Sequence, residues 1–65
     1  MQFTINGQTK DIQATTARQL VEQMGLGSQA VAVEINGKII PRRMQEQTSL
    51  TEGDIIELVT LVGGG

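Results

Sequence analysis

Few of the groups in this 65-residue sequence that can do chemistry stand where they can help one another. Histidine and cysteine are both absent, which removes the usual general base, the commonest metal ligands, disulfides and every Ser-His or Cys-His arrangement. Ser28 and Ser49 therefore have nothing to activate them. The acidic set Glu52, Asp54 and Glu57 lies on a turn and one strand, a spacing that does not make a compact oxygen cage for a hard cation and reads better as a solvated rim facing a basic partner. Arg42-Arg43 is a pair of charges without the interleaved aromatics or wider basic stripe of a nucleic-acid site. Self-contained catalysis and metal binding are not expected.

What remains is the chain end, Leu61-Val62-Gly63-Gly64-Gly65. Glycine loses the most entropy when ordered, so a terminal run of it adds nothing to a core and is expected to be mobile. One reading is an inert tail or linker. The other takes the end as the working part: at about 3.5 Å per residue Gly63, Gly64 and Gly65 reach roughly 10 Å beyond the fold, and with no side chains they can thread a narrow channel into another protein's active site. A free carboxylate is a poor electrophile until one oxygen becomes a leaving group. Acyl-adenylation by ATP does that, after which a sulfur nucleophile can attack and leave a thiocarboxylate. A chain without cysteine offers no other obvious place to hold sulfur.

The elements that must present this end are legible in the pattern. Met1-Gln-Phe-Thr-Ile5 alternates with period two, placing Met1, Phe3 and Ile5 on one face of a strand, and Phe3, the single aromatic, in the core. Asn6-Gly7 follows as a hairpin signal, and Gln8 to Gln13, polar apart from Ile12, suits an edge strand. Thr16-Ala-Arg-Gln19 has the form of a capping box and starts a helix with Ala17, Leu20, Val21 and Met24 on its apolar stripe. Gly25 is placed to end it in the left-handed conformation, with Leu26 folding back. Ala30 to Ile35 reads as a second buried strand, Asn36-Gly37 as a second hairpin turn, and Lys38 to Ile40 as a short strand that Pro41 keeps peripheral. A polar crossover from Arg42 to Thr51, anchored by Leu50 and with room for one helical turn, leads through the Glu52-Gly53-Asp54 turn to a last strand, Ile55 to Val62.

Hairpin, helix, hairpin, crossover, strand is the order of an α+β two-layer domain. The expected fold is the ubiquitin-like β-grasp: a mixed sheet of four to five strands, one main helix on one face, and the last strand central and parallel to the first. Residues 1–62 form the domain and 63–65 a flexible tail. If Ile56 and Leu58 point at the helix, Ile55, Val59 and Leu61 lie on the opposite face with nothing to cover them. These are either scattered surface apolars or a docking face contiguous with the tail. Net charge is −2, too small to direct the chain to nucleic acid or an anionic membrane. No apolar run approaches membrane-spanning length and no signal segment opens the chain, so a cytoplasmic protein, monomeric when free, is expected.

The stretches Val31-Ala-Val-Glu-Ile-Asn-Gly-Lys-Ile-Ile-Pro-Arg42, Leu50-Thr-Glu-Gly-Asp-Ile-Ile-Glu-Leu-Val59 and Val62-Gly-Gly-Gly65 together resemble the small sulfur carriers of thiamine biosynthesis. The similarity runs the whole length and rests on the order of the motifs, the chain length and the Gly-Gly ending. It implies a protein cosubstrate that binds no cofactor itself. An activating enzyme using ATP and magnesium adenylates Gly65, which becomes a thiocarboxylate with sulfur drawn from cysteine by a desulfurase, and thiazole synthase receives that sulfur. Gly64 is then the second residue of the Gly-Gly ending, and Gly63 extends the arm. Relatives often carry an aromatic after Pro41, where Met44-Gln45-Glu46 has none. The small subunit of molybdopterin synthase uses the same terminal chemistry and is one alternative. A protein modifier joined to lysines through Gly65, and a plain interaction module with an idle tail, are two more.

Overall fold

The computed structural model describes residues 1–61. Strand β1 (Gln2–Ile5) turns through Asn6-Gly7 into β2 (Gln8–Asp11), helix α1 (Ala17–Gln23) follows, and β3 (Val31–Ile35) turns through Asn36-Gly37 into β4 (Lys38–Ile40). A short 3-10 turn, Arg42–Met44, opens the crossover to β5 (Ile55–Thr60). The five strands form one sheet in the order β2-β1-β5-β3-β4, with β5 parallel to β1 and antiparallel to β3. That is the expected ubiquitin-like β-grasp, with the last strand seated at the centre and the polar β2 and short β4 at the edges.

Both hairpins turn as their sequences require. Asn6 and Gly7 have φ of 51° and 82°, and Asn36 and Gly37 have φ of 51° and 85°, the positive pair that suits the right-handed twist of the flanking strands. Helix α1 is held at both ends. Thr16 Oγ1 accepts the Gln19 N–H at 3.2 Å, and the Gln19 side chain reaches back to the Thr15 N–H at 2.8 Å. The first two helical amides, Ala17 and Arg18, donate to the crossover carbonyls of Thr48 and Gln45, so the otherwise unpaired N–H groups of this end also fasten the crossover. At the other end Gly25, at φ 80°, donates to the Glu22 carbonyl and Leu26 to that of Val21, the paired bonds of a Schellman motif.

The core lies between α1 and the inner sheet face. Ala17, Leu20 and Val21 meet Phe3, Ile5, Val33, Ile56 and Leu58, and Leu50 closes the crossover side. Gln45 is buried with them, the one polar residue so placed among the described residues.

Three details differ from the pattern reading. Met1 is exposed and precedes β1; its ammonium group hydrogen-bonds Asp11 Oδ1 and the Ile12 carbonyl, which holds it at the sheet edge rather than under the helix. Strand β2 stops at Asp11, and Ile12 beyond it packs against the core from outside the sheet. Strand β5 runs Ile55–Thr60, its last pair matching Thr60 with Val31 at the start of β3; one further bond, from the Leu61 N–H to the Ala30 carbonyl at 2.9 Å, holds the exit. Val62 and the expected mobility of Gly63, Gly64 and Gly65 lie outside the described residues.

Candidate functional site: the central strand and its outer face

The strand that leads to Gly65 is braced along its length by the two turn asparagines. After Ile5 the Asn6 backbone N–H still donates to the Ile56 carbonyl of β5 at 2.9 Å, and the Asn6 side chain extends the contact: Oδ1 accepts the Leu58 N–H at 2.8 Å, and Nδ2 donates to the Leu58 carbonyl at 3.2 Å. From the other hairpin, Asn36 Oδ1 accepts the Ile55 N–H at 3.0 Å while its backbone N–H donates to the Ile55 carbonyl at 2.7 Å. Its Nδ2 also donates to Asp54 Oδ1 at 2.9 Å. The left-handed backbone required by each Asn-Gly turn is what swings the asparagine side chain across to β5.

These contacts divide the acidic set. Asp54 is spent on the turn, its Oδ2 accepting the Thr51 N–H at 2.8 Å, and Glu52 Oε2 accepts the Gln2 N–H at 2.9 Å. Glu57 makes no such bond among the described residues and lies on the sheet's outer face. The structure therefore does not bring the three carboxylates together, and no group of three or more potential ligands forms among the described residues. Arg42 and Arg43 sit exposed on the crossover turn, and Ser28 and Ser49 are exposed on loops.

The outer face of β5 is apolar where the pattern placed it. Ile55, Val59 and Leu61 are 58%, 56% and 59% exposed, while Ile56 and Leu58 between them are buried. The structure adds Ile39 of β4, 75% exposed, which the sequence reading did not single out. Ala32 stands opposite Val59, Glu34 opposite both Glu57 and Ile39, so the face crosses three strands. A hollow of ≈ 110 Å³ opens there, lined by Ala32, Val33, Glu34, Ile39, Glu57 and Val59. The signal for Ile39 was the apolar pair Ile39-Ile40: adjacent strand residues face opposite ways, so one of them had to face out. A second hollow, ≈ 310 Å³ and shallow, lies beside Met1 and the start of α1 and is lined by Met1, Gln13, Ala14, Thr15 and Gln19.

Among the described residues no acid, base or nucleophile lies in a protected pocket. The arrangement can present a surface and a chain end to another protein. Residues 3–65 match the model of the ThiS family. A protein of Thermus thermophilus named sulfur carrier protein ThiS is 30% identical over 61 residues, covering 94% of this chain and 95% of that one. A thiazole synthase of Paramagnetospirillum magneticum is 36% identical across the whole of this chain, which spans only 20% of that longer protein. The crystal structure of the thiamine biosynthesis protein ThiS from Geobacter metallireducens superposes with a TM-score of 0.81 at 28% identity, each chain covered in full.

Proposed function

The chain belongs to the ThiS family, the sulfur carriers of thiamine biosynthesis, and from that premise we propose that its sulfur is carried as a thiocarboxylate at Gly65. In the first step a Gly65 carboxylate oxygen attacks the α-phosphorus of ATP on an activating enzyme and pyrophosphate leaves, giving an acyl-adenylate. In the second, the outer sulfur of a persulfide that a desulfurase forms from cysteine attacks the acyl carbon and AMP leaves, giving an acyl disulfide. A thiol then attacks the carrier sulfur's partner in that S–S bond, releasing the thiocarboxylate as the two thiols are oxidised to a disulfide. Thiazole synthase then takes the sulfur, with all partners in the cytoplasm. ATP and magnesium belong to the activating enzyme.

The observation that carries this reading is the continuity between an uncovered apolar face and the chain end. Ile55, Val59 and Leu61 share the outer side of a central strand that is braced on both flanks, and Leu61 is the point from which Val62 and the glycines continue. Docking through that face would hold Gly63 and Gly64 in a partner's channel. The family match and the thiazole synthase relative favour the thiamine route over molybdopterin synthesis.

Incubating the protein with its activating enzyme, ATP, magnesium and a sulfur source should give an intact-mass gain equal to one sulfur replacing one oxygen. Deleting Gly64-Gly65 should abolish that gain and leave the fold intact. A fully active enzyme mixture that leaves the mass unchanged would sink the proposal, and isopeptide-linked conjugates in cells would point to protein modification instead.

A further inference from the structure

Glu34 and Glu57 face each other directly across the β3-β5 pair, on the outer side of the sheet. Like charges in this position destabilise a sheet. Their surroundings are Ala32, Ile39 and Val59, which line the same hollow. No basic side chain among the described residues offsets the repulsion. Of the five basic residues, Arg18 pairs with Glu22, and neither glutamate has an ion-pair partner among the described residues. Lys38 stands opposite buried Ile35 and Lys10 opposite buried Phe3, so both lie on the other side of the sheet. Arg42 and Arg43 are on the crossover turn.

We propose that Glu34 and Glu57 form a two-carboxylate socket for an arginine of thiazole synthase, whose methylenes pack on Ile39 and Val59. The inference rests on the sulfur-carrier reading. Arginine fits because its guanidinium is planar, weakly hydrated and able to donate to two carboxylates at once; a lysine ammonium is a compact point charge that gives up its water less readily. A bare divalent cation would need six or more oxygens, and this face offers two side chains. Thiazole synthase is the partner because a relative of that name contains the counterpart of this whole chain. The apolar collar also accounts for Ile39, an isoleucine left exposed on a short edge strand.

The test measures two quantities expected to move in opposite senses. Wild-type protein and the variants Glu34→Gln, Glu57→Gln and the double variant are compared for thermal stability alone and for affinity to purified thiazole synthase from the same genome. Removing the repulsion should raise Tm by about 3 °C, and loss of the charged pair should weaken binding about tenfold. That difference should shrink in high salt, as an electrostatic contact requires. Unchanged affinity in the double variant, beside a wild type that binds, overturns the socket and leaves the carrier reading standing. So does weakened binding to the activating enzyme alone. A wild type that neither binds thiazole synthase nor accepts sulfur overturns both.

Discussion

The Gln45 side chain is 1% exposed, and neither its Nε2 nor its Oε1 has a hydrogen-bond partner among the described residues. Its backbone explains why it is inside: the Gln45 carbonyl accepts the Arg18 N–H at 3.0 Å, and its own N–H donates to the Arg42 carbonyl, which draws the crossover against the start of α1. The position is fixed by main-chain bonds that any residue can make, and the side chain follows it into the core at a cost of about 1–3 kcal/mol for the unpaired amide. Replacing it with a residue of similar volume and no polar need should therefore stabilise the protein. Gln45→Met is expected to raise stability by about 1 kcal/mol, seen as a Tm increase of roughly 4–8 °C in a domain of this size. A fall in Tm would mean that the amide is satisfied after all. This burial was not legible in the sequence, because Arg42 to Thr51 is polar apart from Met44 and Leu50 and has no periodicity to mark an inward face. The missing aromatic at Met44-Gln45-Glu46 pointed to the right segment without saying which residue took the core place.

At the scale of elements, the hairpins were the most legible features and also held something the pattern does not contain. Asn-Gly fixes the turn through positive φ, but φ says nothing about where the asparagine amide goes. In both turns it goes to β5, since each hairpin flanks that strand and the turn backbone aims the side chain across it. Substitution by glycine keeps the turn and removes the brace, and this separates the two effects. The Asn6 bonds to Leu58 are partly buried, so Asn6→Gly leaves a backbone N–H and carbonyl poorly hydrated and should cost about 2 kcal/mol. The Asn36 bonds are exposed and water can replace them, so Asn36→Gly should cost only about 1 kcal/mol. Alanine at either site adds about 1 kcal/mol more through its left-handed strain. Denaturant unfolding of the four variants checks the order. Helix α1 follows the same logic: Thr16→Ala removes the cap on the Gln19 N–H and should cost about 1 kcal/mol. The cap was readable from Thr16 and Gln19, whereas the crossover carbonyls that serve Ala17 and Arg18 depend on a contact about 30 residues away in the chain.

Across the whole molecule, the buried core and the exposed apolar face proposed to meet partners are on opposite sides of one sheet. Period two in β5 made that division legible: Ile56 and Leu58 belong to the core, and Ile55, Val59 and Leu61 do not. What the sequence could not supply was the third strand of the outer face, since Ile39 and Glu34 join it only through the β4-β3-β5 register. Separate faces allow function to be removed with stability kept. Val59 is more than half exposed and opposite only Ala32, so Val59→Gln should change unfolding free energy by less than about 1 kcal/mol. If the face docks the carrier on its partners, the same variant should slow thiocarboxylate formation about tenfold at limiting protein, because an apolar contact near the centre of an interface is lost. Saturating protein should restore the rate, as the change affects binding and not the Gly65 carboxylate. Deleting Gly64-Gly65 supplies the opposite case, in which no concentration restores activity. A Val59→Gln protein that accepts sulfur at the wild-type rate under limiting conditions would show that the outer face is merely surface and that the terminal glycines alone are recognised.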